Sequence, residues 1–268
     1  MNLSSSRSHS RFRLPATVVC AALAAATLQV SGATLLYSNN FESPVGFVDT
    51  TGLDVSLQPV NSLYGRPGFL FQQRNTVETL ELKGGVAWGT GYQDPEGNGG
   101  SYAIGMLATA QDDWLSLTFN AGTFDFLNVG MDITAVDLAG VGGPFGVAQP
   151  IFRISLYNSP GGVFNINVPG TLLDTVDVTG TGTPHRQILD WTSVIAGLDA
   201  SASTDGNVSM VIDLRQSGYA AFDNLVVVAS DTEGSLETSS VPEPSTYAAG
   251  LAVLGAVGGA WWRNRRRA

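Results

Sequence analysis

Cysteine occurs once in this 268-residue chain, as Cys20 inside the N-terminal segment. The body therefore has neither disulfides nor a thiol nucleophile, and a domain of this size buries enough apolar surface without such staples. Histidine is almost as scarce, and His185 is the only one in residues 34–240. A Ser-His-Asp triad would need it as base, yet no Gly-x-Ser-x-Gly elbow accompanies it, and zinc sites draw on two or more His or Cys ligands. His185 reads as a surface or supporting residue in a loop that leads into a strand. Basic residues are also missing from the body, where Arg66, Arg74, Lys83, Arg153, Arg186 and Arg215 stand against 22 acidic residues. So acidic a surface is repelled by nucleic acid and by anionic lipid, and it favours solubility and cations, calcium among them. Long amphipathic helices and internal repeats are absent as well.

The other basic residues lie in the two ends. Arg7, Arg11 and Arg13 precede an apolar, Ala-rich run at 14–28, and Ser31, Gly32 and Ala33 follow as small residues. This order predicts a secretory signal over residues 1–33, removed by signal peptidase. Cys20 is no lipoprotein site, because Val19 precedes it where a small residue is expected and the apolar run before it is too short.

Between the ends the composition is rich in Gly, Thr, Ser, Asn and Val, with short apolar runs separated by turn signals. Residues 115–119 and 208–214 alternate apolar and polar, the pattern of half-buried antiparallel strands. Residues 124–133 change phase midway, which predicts a bulge there. Further strands are expected at 35–41, 53–57, 102–107, 151–157, 172–178, 186–191 and 220–228. With no crossover helices, the expected fold is all-β: an antiparallel two-sheet β-sandwich of jelly-roll type over residues 34–228. Residues 229–240 are small, polar and acidic and read as a flexible linker.

Candidate chemistry in the body is sparse. Three close carboxylate pairs occur, Asp112 with Asp113, Glu78 with Glu81, and Asp174 with Asp177, and none carries the E-x-D-x-x-E strand pattern of sandwich-fold glycosidases. Trp88 and Tyr92, in Trp88-Gly89-Thr90-Gly91-Tyr92, sit in a Gly-rich loop where an aromatic ring can stack on a sugar; core packing is the alternative for Trp88. Tyr64 and Tyr102 are weaker candidates, and Trp114 and Trp191 fall in alternating strands and read as core. The short Thr179, Thr181, Thr183 row is too small for an ice-binding array.

Two stretches carry family resemblances. Asn39-Asn40-Phe41-Glu42 near the start of the body and Phe222-Asp223-Asn224-Leu225 near its end resemble the paired terminal strands of carbohydrate-binding-module-like jelly rolls. That resemblance implies a structural calcium shared by Glu42 and Asp223; the alternative has Glu42 capping a turn and Asp223 bonding backbone. The last 28 residues, 241–268, combine Val-Pro-Glu-Pro-Ser at 241–245, an apolar run at 247–262 and a basic tail at 263–268. This order is similar to the PEP-CTERM sorting signal, also catalogued as an ice-binding-protein C-terminal domain. The resemblance implies export, retention in the inner membrane by the tail, and processing by an exosortase, with Pro242, Glu243 and Pro244 as recognition motif. On physical grounds the two prolines hold the motif extended. The apolar run, at about 1.5 Å per residue, falls short of a hydrocarbon core of about 30 Å, which suits a transmembrane helix of temporary hold. Arg263, Arg265, Arg266 and Arg267 form the stop cluster on the cytoplasmic side. The expected protein is thus a non-catalytic one at the cell surface or in the extracellular matrix, binding exopolysaccharide or serving the matrix structurally. A glycan-active hydrolase or lyase is the rival reading, and a purely adhesive protein the third.

Overall fold

The computed structural model describes residues 32–50, 55–82, 94, 97–108, 112–136, 148–182 and 189–238. Among them are twelve strands: β1 (Ala33–Asn39), β2 (Val55–Ser56), β3 (Gln72–Arg74), β4 (Glu78–Glu81), β5 (Tyr102–Leu107), β6 (Trp114–Asn120), β7 (Phe126–Ala135), β8 (Ile151–Asn158), β9 (Leu172–Thr179), β10 (Thr192–Asp199), β11 (Asn207–Gln216) and β12 (Tyr219–Ser230). One short helix, α1 (Val60–Tyr64), and a single 3-10 turn at Pro160–Gly162 complete them. The strands form two antiparallel sheets, as expected for a β-sandwich. One has seven strands in the order β10-β7-β12-β5-β4-β2, with β1 also pairing β12, and the other five in the order β3-β6-β11-β8-β9.

The core lies between the sheets and follows from period-two alternation. Leu115, Leu117 and Phe119 of β6, Phe152, Ile154 and Leu156 of β8, and Val208, Met210, Ile212 and Leu214 of β11 meet Leu127, Val129, Met131 and Ile133 of β7 in one buried cluster. Each such large apolar side chain contributes about 1.5–3 kcal/mol on burial. Aromatic rings lock the middle: Phe222 packs edge-on against Phe41 at 5.7 Å and against Phe152 at 6.1 Å. A second, smaller cluster, including Leu80, Leu82, Ala103, Val136, Trp191 and Tyr219, is buried apart from this core.

β12 is the strand on which the seven-stranded sheet is built. β7 runs along one side of it; on the other, β5 pairs Tyr219 to Phe222 and β1 pairs Leu225 to Ser230. The change of partner coincides with a bulge. Asp223 pairs Asp132 and Val226 pairs Gly130, so β12 carries one residue more than β7 there. Asn224 sits at φ 51°, the left-handed region that Asn tolerates better than most. The extra residue flips the alternation, so that Ala220 and Phe222 before it and Leu225, Val227 and Ala229 after it all face the core.

Three expectations need correction. The bulge lies on β12 and not in 124–133, because β7 keeps unbroken register with β10 and its partner absorbs the extra residue. The strand expected at 186–191 begins only at Thr192; Trp191 precedes it as an anchor in the second apolar cluster, and 186–188 lie outside the described residues. β3 and β4 went unforeseen because Gln72-Gln73-Arg74 and Glu78-Thr79-Leu80-Glu81 show no apolar alternation; sheet pairing, and not composition, makes them strands. At its far end β12 runs two residues past 228, with Ala229 fully buried.

Candidate functional site

The corner where β12 changes partners gathers the residues of both terminal motifs. Asn39 ends β1 and its side-chain oxygen accepts the Phe41 amide at 2.8 Å, which turns the chain and lets Phe41 adopt φ 51°. Phe41 thereby points into the core, edge-on to Tyr64 at 5.1 Å. The next residue, Glu42, spans the seam between β1 and β5. Its carboxylate accepts the Ser101 amide at 2.8 and 2.9 Å and the Tyr102 amide at 3.3 Å. Gly100 permits this approach: at φ +52° a Cβ would lie 2.1 Å from Glu42 Oε1. Asp94 closes the same loop by accepting the amides of Gly97 at 2.9 Å and Gly99 at 2.8 Å.

From the other motif, Phe222 enters the core and Asp223 is 1% exposed. Asp223 Oδ1 accepts the Asn224 amide at 2.6 Å. The Asn224 side chain donates to Asp132 at 2.8 Å and to the Asn98 carbonyl at 3.0 Å, tying β12 to β7 and to the loop. Burial pushes the Asp223 carboxyl up to about 8; the Asn224 amide opposes this, and the negative charges of Glu42, Asp132 and Asp94 add to it. The corner therefore holds more negative charge than its hydrogen bonds neutralise.

The structure thus brings Glu42 and Asp223 into one electrostatic neighbourhood, as their motifs implied, and gives Glu42 the backbone amides of the capping alternative. Among the described residues no group of three or more His, Cys, Asp or Glu is gathered in a way that could hold a metal. Glu42 and Asp223 offer carboxylate oxygens of the kind a hard cation takes, and both already accept backbone amides.

Other sequence candidates fall elsewhere. Trp88, Tyr92 and His185 lie outside the described residues, as do residues 1–31 and 239–268. Tyr64 is a core residue at 8% exposure, and Tyr102 donates to Glu81 at 3.0 Å and packs on Phe47, so neither offers a free ring. Trp114 is not core: with Leu115, Leu117 and Phe119 facing inward, it lies on the outer side of β6, under the Arg74 guanidinium at 3.5 Å. The cation occupies the face that a sugar ring would need.

The three carboxylate pairs are separated by the fold. Asp112 bridges Arg74, and Asp113 is fully buried and accepts the Leu107 amide. Glu78 accepts from Tyr219 and Glu81 from Tyr102. Asp174 accepts the amides of Thr175 and Asp199, while Asp177 makes a two-pronged bridge to Arg153. Burial raises both Glu78 and Asp113, the latter to about 6 with the charge of Glu78 contributing, so the fold couples acids from two different sequence pairs.

Residues 240–267 match the PEP-CTERM protein-sorting motif. The match makes this end a sorting signal, the mark of an exported protein. No helix among the described residues is long and apolar enough to cross a membrane, and the run at 247–262 lies outside them. Comparison with curated proteins gave no match. Among solved structures the chain is similar to the K3 cleaved adhesin domain of Lys-gingipain from Porphyromonas gingivalis, with 11% identity over 74% of this chain and 99% of that one and a TM-score of 0.37. It is similar also to the CBM22-1 xylan-binding domain of Paenibacillus barcinonensis Xyn10C, with 10% identity, 75% and 97% coverage and a TM-score of 0.39. A third is the Stig cyclase Fisc from Fischerella sp. TAU, with 12% identity, 76% and 100% coverage and a TM-score of 0.46. These likenesses are of fold alone.

The buried Asp223 generates a pH dependence with a definite sign. Its carboxyl ionises near 3.8 in the unfolded chain and near 8 in the fold. Between those values the folded state holds a proton that the unfolded state has lost, so the contribution of Asp223 to stability is full below about 4 and is lost as pH rises to about 8. The melting temperature of the metal-free protein should decline across this window, and Asp223→Asn should remove part of the slope. Parallel melting curves for the two proteins would contradict a buried, protonated Asp223.

Proposed function

We propose that this chain is a bacterial surface or matrix protein, sorted through its tail by an exosortase-type enzyme, whose sandwich binds exopolysaccharide without catalysing its turnover. The observation that carries the sorting half is the motif match at 240–267. In this reading signal peptidase removes residues 1–33, the segment 247–262 holds the chain in the inner membrane for a time, and Arg263, Arg265, Arg266 and Arg267 stay on the cytoplasmic side. Pro242, Glu243 and Pro244 are what the processing enzyme recognises, so the protein is the substrate of that chemistry.

The binding half rests on how the corner holds its loop. The segment 83–93, which carries Trp88 and Tyr92, starts after Leu82, whose amide donates to the Ser101 carbonyl at 2.7 Å. It ends at Asp94, whose carboxylate grips the amides of Gly97 and Gly99. The two residues that flank the segment, Leu82 and Asp94, are therefore both bonded to the 97–101 loop that Glu42 holds. We assign Trp88 and Tyr92 as sugar-stacking residues, and calcium as a structural ion between Glu42 and Asp223. Bound there, the ion would neutralise the two carboxylates; Glu42 and the Asn224 side chain hold the loop's base through their own hydrogen bonds.

Three measurements test this reading. Surface-located protein should have an intact mass lacking residues 247–268; recovery of the complete tail at the surface would refute sorting. On a glycan array the secreted body should retain a bacterial polysaccharide, with affinity falling about tenfold or more in Trp88→Ala, equivalent to about 1.4 kcal/mol or more. No binding by the wild type, with sorting intact, would leave the matrix-structural role. At pH 8 added calcium should raise the melting temperature of the wild type and not that of Asp223→Asn; equal responses would remove the calcium site.

A further inference from the structure

The residues after β12 do not leave the sandwich directly. They turn back over the outer side of β7 and β10, fastened by Asn128, a fully buried residue of β7. The Asn128 side chain donates to Ser230 Oγ and to the Thr232 carbonyl, both at 2.9 Å, and accepts the Gly234 amide at 2.7 Å. Ser230 reinforces the turn by donating to the Thr232 carbonyl at 2.6 Å. A buried amide whose donor and acceptor groups are all used by a short polar stretch is costly to strip, since its groups would be left unpaired.

Two glycines make room for this strap. A Cβ at Gly130 would lie 2.4 Å from Leu236 Cδ1, and one at Gly197 would lie 2.4 Å from Glu233 Cγ. Gly130 and Gly197 belong to neighbouring strands, so the sheet presents a bare track for the strap, with Ile195 beside it across a groove of about 540 Å³. A stretch whose composition reads as a free linker is thus held along a track that fits it.

We propose that this strap is a latch that controls how far the sorting motif can extend from the sandwich, and hence how readily the membrane-embedded processing enzyme reaches it. The inference rests on the sorting reading of 240–267. With the strap docked, Pro242 is five residue steps beyond Glu237, a span of about 17 Å when fully extended. Undocked, the free chain begins at Ser230 and its twelve residues span up to about 41 Å. An enzyme at the membrane surface must fit between the bilayer and a folded body, so it acts on the undocked state, and the docking equilibrium sets the rate of tail removal. After cleavage the strap returns to its track and covers Gly130 and Gly197.

The test uses the full chain with a C-terminal epitope, co-expressed with the processing enzyme and followed by pulse-chase. Leu236→Asp, a change on the half-buried strap side chain that leaves the core intact, should speed epitope loss several-fold, and Asn128→Ala should act in the same direction. Gly197→Ala, whose Cβ would press on the Gly234 backbone nitrogen at 2.8 Å, should likewise release the strap and speed the loss several-fold. Equal rates in the wild type and the three released variants would overturn the latch while leaving the sorting reading standing. Persistence of the epitope on the wild type itself would overturn both.

Discussion

The sandwich depends on one constraint: β12 must serve two partial partners on the same side. β5 covers its first part and β1 its last, and the seam falls at the Asp223 and Asn224 bulge. Without the extra residue, the side chains after the seam would turn outward, because a strand alternates strictly and a one-residue slip reverses its faces. The bulge restores Leu225, Val227 and Ala229 to the core. The gap it leaves is bridged by Glu42, which takes amides from the start of β5 while standing at the end of β1. Asn224 bridges it a second time through Asp132 and the Asn98 carbonyl. First and last strands of the body are thereby joined, and folding cannot be completed until both ends are present.

The same seam concentrates charge. A strongly acidic chain has few cations, and those among the described residues are used elsewhere: Arg66 over Tyr37 and Phe69, Arg74 on Asp112 and Trp114, Arg153 on Asp177, and Arg215 on Asp213. At the seam burial and the negative charges of Glu42, Asp132 and Asp94 raise the Asp223 carboxyl, which favours its protonated form. Leu82 and Asp94 are both bonded to the 97–101 loop at this corner. The sorting motif lies in 240–267, and the strap over β7 and β10 precedes it in the chain.

Much of the architecture was legible in the residues. Tyr102–Leu107 is the strand that its apolar pattern predicts, and β6, β8, β9 and β11 differ from expectation by a residue or two at their ends. Asn39, Phe41 and Glu42 against Phe222, Asp223 and Asn224 foretold that the terminal strands meet, since each motif combines one core ring with polar groups suited to a turn. The polar strands β3 and β4 were hidden because Gln, Arg, Glu and Thr side chains carry no signal of which face is buried. Trp114 misled because alternation shows that faces differ and not which of them meets the other sheet. The strap was invisible for a further reason. Gly130 and Gly197 have no periodicity, and their meaning comes only from what lies over them.

The sequence by itself determined the class of fold, the acid character of the body, the absence of a thiol, and the address at the end of the chain. These follow from composition and short-range order, which need no knowledge of partners. Only the tertiary structure decided which carboxylates gather near the buried Asp223, where the bulge falls, and that the polar stretch after β12 is held on the sheet. Those facts depend on contacts between residues about ninety or more positions apart, Asn128 with Thr232 and Asp132 with Asn224 among them. Distances of that kind are set by packing and register, and a linear pattern does not encode them locally.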